Sequence, residues 1–543
     1  GLGGGFVDTH ELHVMKYKEA MKTKDKEKWD EAVTKEHSRM TDHTVFEAVD
    51  KSTLPKDAKV ISSTWAMKKK ANGTFRARIN ALGYQQVDGE HYDEDTKAAP
   101  VVNEATIRMV LIIMVMAGWY AELLDVKGAF LHGRFDEGEK IYMNVPEGFE
   151  RFYPSNVVLL LLRTIYGLKQ AAYAFWIQLV TAFKSMDYTR NKADPCLYFN
   201  WTVFGLIVWI SWVDDMLVCG KQEGIQIAKQ EMMARFDCEE VGELTEYVGC
   251  KIDYDRKDRS IKITQPVLLQ SFHDEFELPQ GGTMPNTPAV PGTILIKGEP
   301  ENHLPEEEMS TYRSGVGKLL HLMKWSRPEI LNSVRELSKF MSGAIEGHKQ
   351  AMYRVMKYCV NTANRGLLLK PNKIWDGNPD FEFVITGLAD SEYAKDPETR
   401  RSVGGHSTFL CEAPVTTKSK MQNCVTMSVT EAELVSACHC AQDMLFQMRV
   451  IESMGLKVEK PMILKVDNKG AKDLAHNWST AGRTRHVDVR YHFLRELKEE
   501  GLIRVEWFSS EENGSDLFTK NLPGPLFERH TRTYCGQDEY MKS

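Results

Sequence analysis

Basic charge is in deficit along this chain. Its 69 lysines and arginines are outnumbered by 76 aspartates and glutamates, which leaves a net charge of −7 over 543 residues. Bulk charge therefore does not mark a nucleic-acid binder, and any such contact must rest on local basic patches. Met67-Lys68-Lys69-Lys70 with Arg76 and Arg78 is one patch; Arg483, Arg485 and Arg490 form another. Paired cysteine spacing is also missing. The ten cysteines are scattered, which argues against a disulfide framework and suits a reducing compartment. Cys438-His439-Cys440 imitates half of a metal cluster, but no second half exists, and in an apparent helix such cysteines read as small core residues. No apolar run reaches the roughly 20 residues of a membrane span. Val110 to Ala121 falls well short, and neither a signal peptide nor an internal repeat is visible.

What the chain does carry is carboxylates in apolar places. Asp214 and Asp215 sit inside Phe204 to Cys219, a segment that reads as a strand, a tight turn and a returning strand. Two adjacent carboxylates repel each other and lose hydration. A solvated turn is the plain reading; the alternative is a site where divalent cations neutralise them. Asp125 ends another strand-like run, Ala121 to Val126. Laid beside the hairpin, that strand would bring a third carboxylate to the turn. With the backbone carbonyl of Val126, the three can hold two Mg²⁺ ions. One ion would lower the pKa of an attacking hydroxyl and the other would stabilise the leaving oxygens of a triphosphate.

A second set lies in the C-terminal part. Asp390 follows the strand-like run Phe381 to Leu388, and Glu433 lies early in a long helix. Asp467 ends the strand 462–466, and Asp516 opens a short helical segment. Ser428-Val429-Thr430-Glu431 fits a capping box, in which Glu431 folds back on the Ser428 amide. Glu433 is two residues on, rotated by about 200° around the axis, and free to face a metal.

The string LDVKGAFLHG at 124–133 resembles the first palm motif of copia-type LTR-retrotransposon reverse transcriptases. IYMNVPEGF at 141–149 and YGLKQA at 166–171 resemble further stretches of that family, and Trp212-Val213-Asp214-Asp215 takes the place of its Tyr-Val-Asp-Asp. The resemblance implies an α+β and α/β multidomain fold, a right-hand polymerase with fingers, palm and thumb followed by a ribonuclease H-like domain. The expected organisation is a leader or linker over 1–30, fingers and palm over 31–255, and a thumb-like region and linker over 256–310. A helical connection over 311–375, the ribonuclease H-like domain over 380–530 and a tail over 531–543 follow.

By the same resemblance the chain is an RNA-directed DNA polymerase with ribonuclease H activity, using two Mg²⁺ per active site, with Mn²⁺ as a substitute. Asp125 and Asp214 would be the principal polymerase ligands and Asp215 the weaker one. Asp390, Glu433, Asp467 and Asp516 would hold the second pair of ions. Phe130 takes the place of an aromatic gate against a 2′-hydroxyl, with an ordinary core phenylalanine as the alternative. Arg76 and Arg78 alternate along a likely strand and would meet the incoming triphosphate with guanidinium forks. Lys169 and Gln170 would touch template or nucleotide. His486, within RTRHVDVRYHF at 483–493, stays open between a catalytic and a structural role. The implied partners are an RNA template, a DNA or tRNA primer, the RNA/DNA hybrid and dNTPs; a homodimer stays open and no membrane is involved. The implied location is the cytoplasm, within virus-like particles. Ala172 stands where the family has Pro, and Trp212 where it has Tyr. A decayed nucleic-acid-binding relic and a structural subunit of a dimer are the competing readings. The start at Gly1 reads as a piece of a longer polyprotein whose aspartic protease and integrase finger lie elsewhere.

Overall fold

The computed structural model describes residues 14–69, 73–94, 98–136, 138–276, 278, 284–476 and 485–536, without the side chains of 485–489 and 491. Gly1 to Gly5, Lys70, Arg483 and the side chains of Arg485 and His486 lie outside the described residues. Two compact units are present, one of 1–102 with 121–243 and one of 103–120 with 244–543.

The first unit is organised by a six-stranded sheet. Its strand order is Cys238–Glu243, Tyr120–Val126, Asp215–Gly220, Gly205–Trp212, Leu197–Thr202 and Thr189–Arg190. The hairpin at its centre pairs Trp212 with Asp215, so the loop is only Val213 and Asp214. Val213 has φ 58°, the left-handed first position that a two-residue hairpin loop demands. A β-branched residue holds that conformation only under constraint. The constraint comes from the strands, where Leu206 to Ile210 and Met216 to Cys219 are buried. Helices Ala171–Ser185 and Gln222–Met233 cover them with Phe175, Leu179, Phe183, Ile225 and Met232. In the central hairpin the two carboxylates, Asp214 and Asp215, fall at the turn and not within the buried strand interiors.

A separate hairpin in the same unit pairs Ser63–Lys69 with Phe75–Ala81. Helix Lys26–Asp42 backs it, with Trp29 edge-on to Phe75 at 4.5 Å between ring centroids. Trp29, Ala32, Val33, Glu36 and Met40 are its buried face, at helical spacing. Residues 14–30, expected as leader, thus include helix Tyr17–Ala20 and the start of this long helix, and they bury Ala20 and Trp29. The polar composition around Trp29 masked a one-sided helix.

In the second unit, helix Glu104–Ala117 buries twelve of its fourteen residues, which explains its all-round apolar sequence. Asn103 caps it by accepting from the Ala105 amide at 3.0 Å, and Gly118 closes it at φ 65°. Helices Glu306–Trp325, Leu331–Ser338 and Glu346–Asn361 follow. The C-terminal five-stranded sheet runs Ala413–Met421, Val403–Leu410, Ile385–Glu392, Met462–Val466, Ile503–Trp507. The first three are antiparallel and the last two join in parallel, with helix Val429–Ser453 packed across them. The chain is therefore the mixed helix-and-sheet multidomain protein expected.

Asp390 lies inside its strand, opposite Gly405, rather than beyond the strand end as the sequence suggested. Polar residues continue the strand because Gly404 and Gly405 face them. A Cβ on Gly405 would stand 2.7 Å from Thr519 Cγ2 and 2.9 Å from Phe518 Cβ, so its absence lets the turn carrying Asp516 press onto the sheet beside Asp390. No helix among the described residues is long and apolar enough to cross a membrane.

Candidate active sites

The first site forms at one end of the six-stranded sheet. Strand Tyr120–Val126 lies beside Asp215–Gly220, and the Val126 amide donates to the Asp214 carbonyl at 3.0 Å. Asp125, Asp214 and Asp215 therefore gather at the hairpin tip. Asp215 Oδ2 is buried with no partner. Burial pushes the Asp215 carboxyl up to about 8, and the neighbouring Asp214 and Asp125 charges push the same way. Trp212, half-buried, precedes the turn.

A cavity of about 850 Å³ opens at this end, lined by Arg76, Arg78, Asp125, Val126, Lys127 and Gly128 among others. The two arginines share one face of their strand, as the alternation predicts. Gly128, at φ +65°, lets the turn after Val126 approach helix Lys26–Asp42: a Cβ there would stand 2.5 Å from Arg39 Nη2. The Arg78 guanidinium lies 4.5 Å from the centroid of the Tyr166 ring, which meets Phe130 edge-on at 4.7 Å. Arg78 Nε and the Tyr166 hydroxyl are buried and unpartnered. Phe130 itself is half-buried and packs on the cores at either side, so it reaches the arginine by way of Tyr166. Sequence reasoning missed Tyr166 as the link, although it opens the quoted YGLKQA string.

Lys169 and Gln170 are not among the described residues lining that cavity. Gln170 is buried; its amide donates to the His91 carbonyl at 2.8 Å and its carbonyl accepts from Gln86 Nε2 at 2.9 Å. Lys169 Nζ donates to the Tyr92 hydroxyl at 2.7 Å. These contacts tie two chain segments together.

The second site is tighter. Asp390, Glu433 and Asp467 each offer a carboxylate oxygen within 4.8 Å of the others. Asp390 is 1% and Glu433 3% exposed. Glu433 Oε1 accepts from the Ser391 amide at 3.1 Å and from its hydroxyl at 3.0 Å, while Oε2 has no partner. Burial, then the charges of Asp390 and Asp467, hold the Glu433 carboxyl far above the usual carboxylate range. Burial and Asp390 raise Asp467 as well. Glu431 is committed to the helix start, as the capping pattern predicts, but it accepts from the Met427 amide at 2.6 Å rather than from Ser428. Ser428 is extended at φ −152°, and its hydroxyl accepts from the Glu431 amide at 3.2 Å.

Asp516, in the short turn Gly514–Phe518, is not one of this trio but meets Asp390. Its carboxyl is pushed up to about 8 by burial and then by Asp390. Lys520 Nζ lies 3.0 Å from Asp516 Oδ1 and 3.3 Å from Asp390 Oδ1. Sequence reasoning missed this lysine; its spacing of four from Asp516 was the available signal. The Cys438 thiol, by contrast, is pushed up to about 12 by burial, which fits a core residue rather than a metal ligand.

Both sites offer hard oxygen donors, and each has a buried carboxylate oxygen without a partner, a donor set that fits divalent cations. A stability consequence follows. Asp215 and Asp516 sit near 8 when folded, against about 3.9 when unfolded. Between those values the folded chain holds protons that the unfolded chain has released, so stability falls as pH rises. His530, pushed down to about 4 by burial, opposes this only below its unfolded value of about 6.5. Melting of the metal-free chain should therefore shift down between about pH 6.5 and 8, and divalent cation should flatten the trend. A melting temperature that climbs across that window without metal would contradict the burial of these carboxyls.

Residues 44–291 match the family described as reverse transcriptase (RNA-dependent DNA polymerase). The retrovirus-related Pol polyprotein from transposon TNT 1-94 of Nicotiana tabacum is 30% identical over 521 residues, covering 94% of this chain and 38% of that protein. The retrovirus-related Pol polyprotein from transposon RE1 of Arabidopsis thaliana is 28% identical over 482 residues, covering 87% and 31%. The chain thus spans 38% and 31% of the length of these two Pol polyproteins. A solved structure of the foamy viral protease-reverse transcriptase dRH in complex with double-stranded DNA aligns at a TM-score of 0.48 and 10% identity, covering 89% of this chain and 70% of that one.

Proposed function

We propose, from the match of residues 44–291 to the reverse transcriptase family and the likeness to transposon Pol polyproteins, that the chain is a copia-type reverse transcriptase that extends a primer on an RNA template and cleaves the RNA strand of the resulting hybrid. The observation that carries this reading is the pair of carboxylate clusters, one in each unit, each with a buried oxygen left unpartnered.

In the polymerase, Asp125, Asp214, Asp215 and the Val126 carbonyl would hold two divalent cations, Mg²⁺ or Mn²⁺. Bound there, the cations supply activation of the primer hydroxyl and charge neutralisation at the leaving phosphate. Arg76 and Arg78 face the same cavity and present guanidinium forks to the triphosphate of a dNTP. Phe130, held by Tyr166, lies under the sugar and excludes a 2′-hydroxyl. Lys169 and Gln170 act at one remove, through the Gln86, His91 and Tyr92 contacts. In the ribonuclease H-like domain, proposed over 380–530, Asp390, Glu433, Asp467 and Asp516 hold the cations at the scissile RNA phosphate. Recognition of the hybrid depends on the 2′-hydroxyl of its RNA strand. The setting that fits is a cytoplasmic virus-like particle with an RNA template and a DNA or tRNA primer.

The test is one assay with two dyes, one on a DNA primer and one on its RNA template. With dNTPs and Mg²⁺, and again with Mn²⁺, the primer should lengthen while the RNA shortens. Folded protein that binds the hybrid but changes neither strand in either metal would overturn the reading.

A further inference from the structure

The fourth carboxylate of the C-terminal cluster is answered by a cation from the chain itself. Lys520 bridges Asp516 and Asp390, at 3.0 and 3.3 Å. The turn that carries both residues is braced on several sides. Thr519 Oγ1 donates to the other oxygen of Asp390, and Lys395 Nζ donates to the Thr519 carbonyl. Ser419 Oγ donates to the Phe518 carbonyl, and Gly405 leaves the room in which the turn sits.

The site is therefore lopsided. On one side, Asp390, Glu433 and Asp467 converge around a buried oxygen, Glu433 Oε2, that no donor satisfies. On the other side, the space shared by Asp390 and Asp516 is taken by an ammonium group. A divalent ion and an ammonium group on the same two carboxylates repel each other.

We propose that Lys520 is a positioning residue that stands in for the second cation of this site: it keeps Asp516 against Asp390 in the free enzyme and must leave Asp390 before a second divalent ion can bind there. This rests on the ribonuclease H reading above. The first ion binds at Asp390, Glu433 and Asp467. The second binds more weakly, and hybrid, by drawing Lys520 to its phosphates, favours loading of the complete pair.

The test is a Mn²⁺ titration of the full chain by calorimetry, without nucleic acid. Wild type is compared with Lys520→Gln, Lys520→Arg and Asp390→Asn, so that the polymerase carboxylates contribute equally throughout. Lys520→Gln should bind its second ion at this site about tenfold more tightly than wild type. Its metal-free melting should fall and recover with Mn²⁺, because the carboxylates lose their internal counter-charge. Lys520→Arg, which keeps the charge, should titrate like wild type. A folded Lys520→Gln with the wild-type isotherm would overturn the proposal. Should that variant not fold, wild type itself decides: the weak step must be present and must be lost in Asp516→Asn, and a weak step that survives there overturns the proposal. If wild type and Asp390→Asn titrate identically, the site holds no ion, and the ribonuclease H reading falls with the proposal.

Discussion

Asp214→Asn should abolish primer extension and leave RNA cleavage intact. Asp214 is one of the two loop residues of a hairpin whose strands are buried, so its backbone is fixed by the sheet and not by its own side chain. Asparagine keeps the shape and removes the charge. Divalent-cation catalysis contributes several kcal/mol of charge stabilisation. Losing a principal ligand should then lower the extension rate by roughly 10³-fold. The fold should not suffer, since the half-exposed carboxylate lies beside Asp215 and Asp125, and removing it relieves repulsion. Single-turnover extension, circular dichroism and cleavage of a preformed hybrid are the three readings required. Extension at the wild-type rate would remove Asp214 from the site.

The mirror-image substitution is Asp390→Asn, which should end RNA cleavage by a similar factor of about 10³ and spare primer extension. Asp390 is the hub of the second site: it belongs to the trio within 4.8 Å and also accepts from Thr519 and Lys520. Its charge is among the causes that raise Glu433, Asp467 and Asp516. Neutralising it should let all three titrate closer to ordinary carboxylates, so the fall of metal-free stability with pH should become shallower as cleavage disappears. A variant that cleaves normally, or that loses extension and cleavage together, would defeat the assignment of separate sites.

The clustered carboxylates were legible because they break a pattern. Asp214 and Asp215 interrupt two apolar strands, and Asp125 closes a third, so adjacency in the sheet follows from short-range signals. Glu433 could be told from Glu431 because a capping box is local, even though the bond falls on Met427 instead of Ser428. What was hidden depends on contacts distant in sequence. Gln170 meets Gln86 and His91 across a fold that no periodicity encodes. Tyr166 meets Arg78 and Phe130 through a packing choice, and Lys520 finds Asp390 only because Gly405 admits the turn. The split of 103–120 from its flanking sequence was equally invisible, since an apolar helix does not announce which core it joins.

That helix has a consequence for synthesis. Arg108, buried in Glu104–Ala117, donates to the carbonyl of Val415 at 2.8 Å, and 307 residues separate the two. At about 5–20 residues per second the ribosome needs roughly 15–60 s to deliver that partner. Until that interval ends one of the most apolar segments of the chain has only part of its native neighbours, Arg259 and Lys324 being made before Val415. Supply of this protein is therefore expected to track the host's capacity to shelter nascent chains, and slow translation should tax its yield more than its activity per folded molecule.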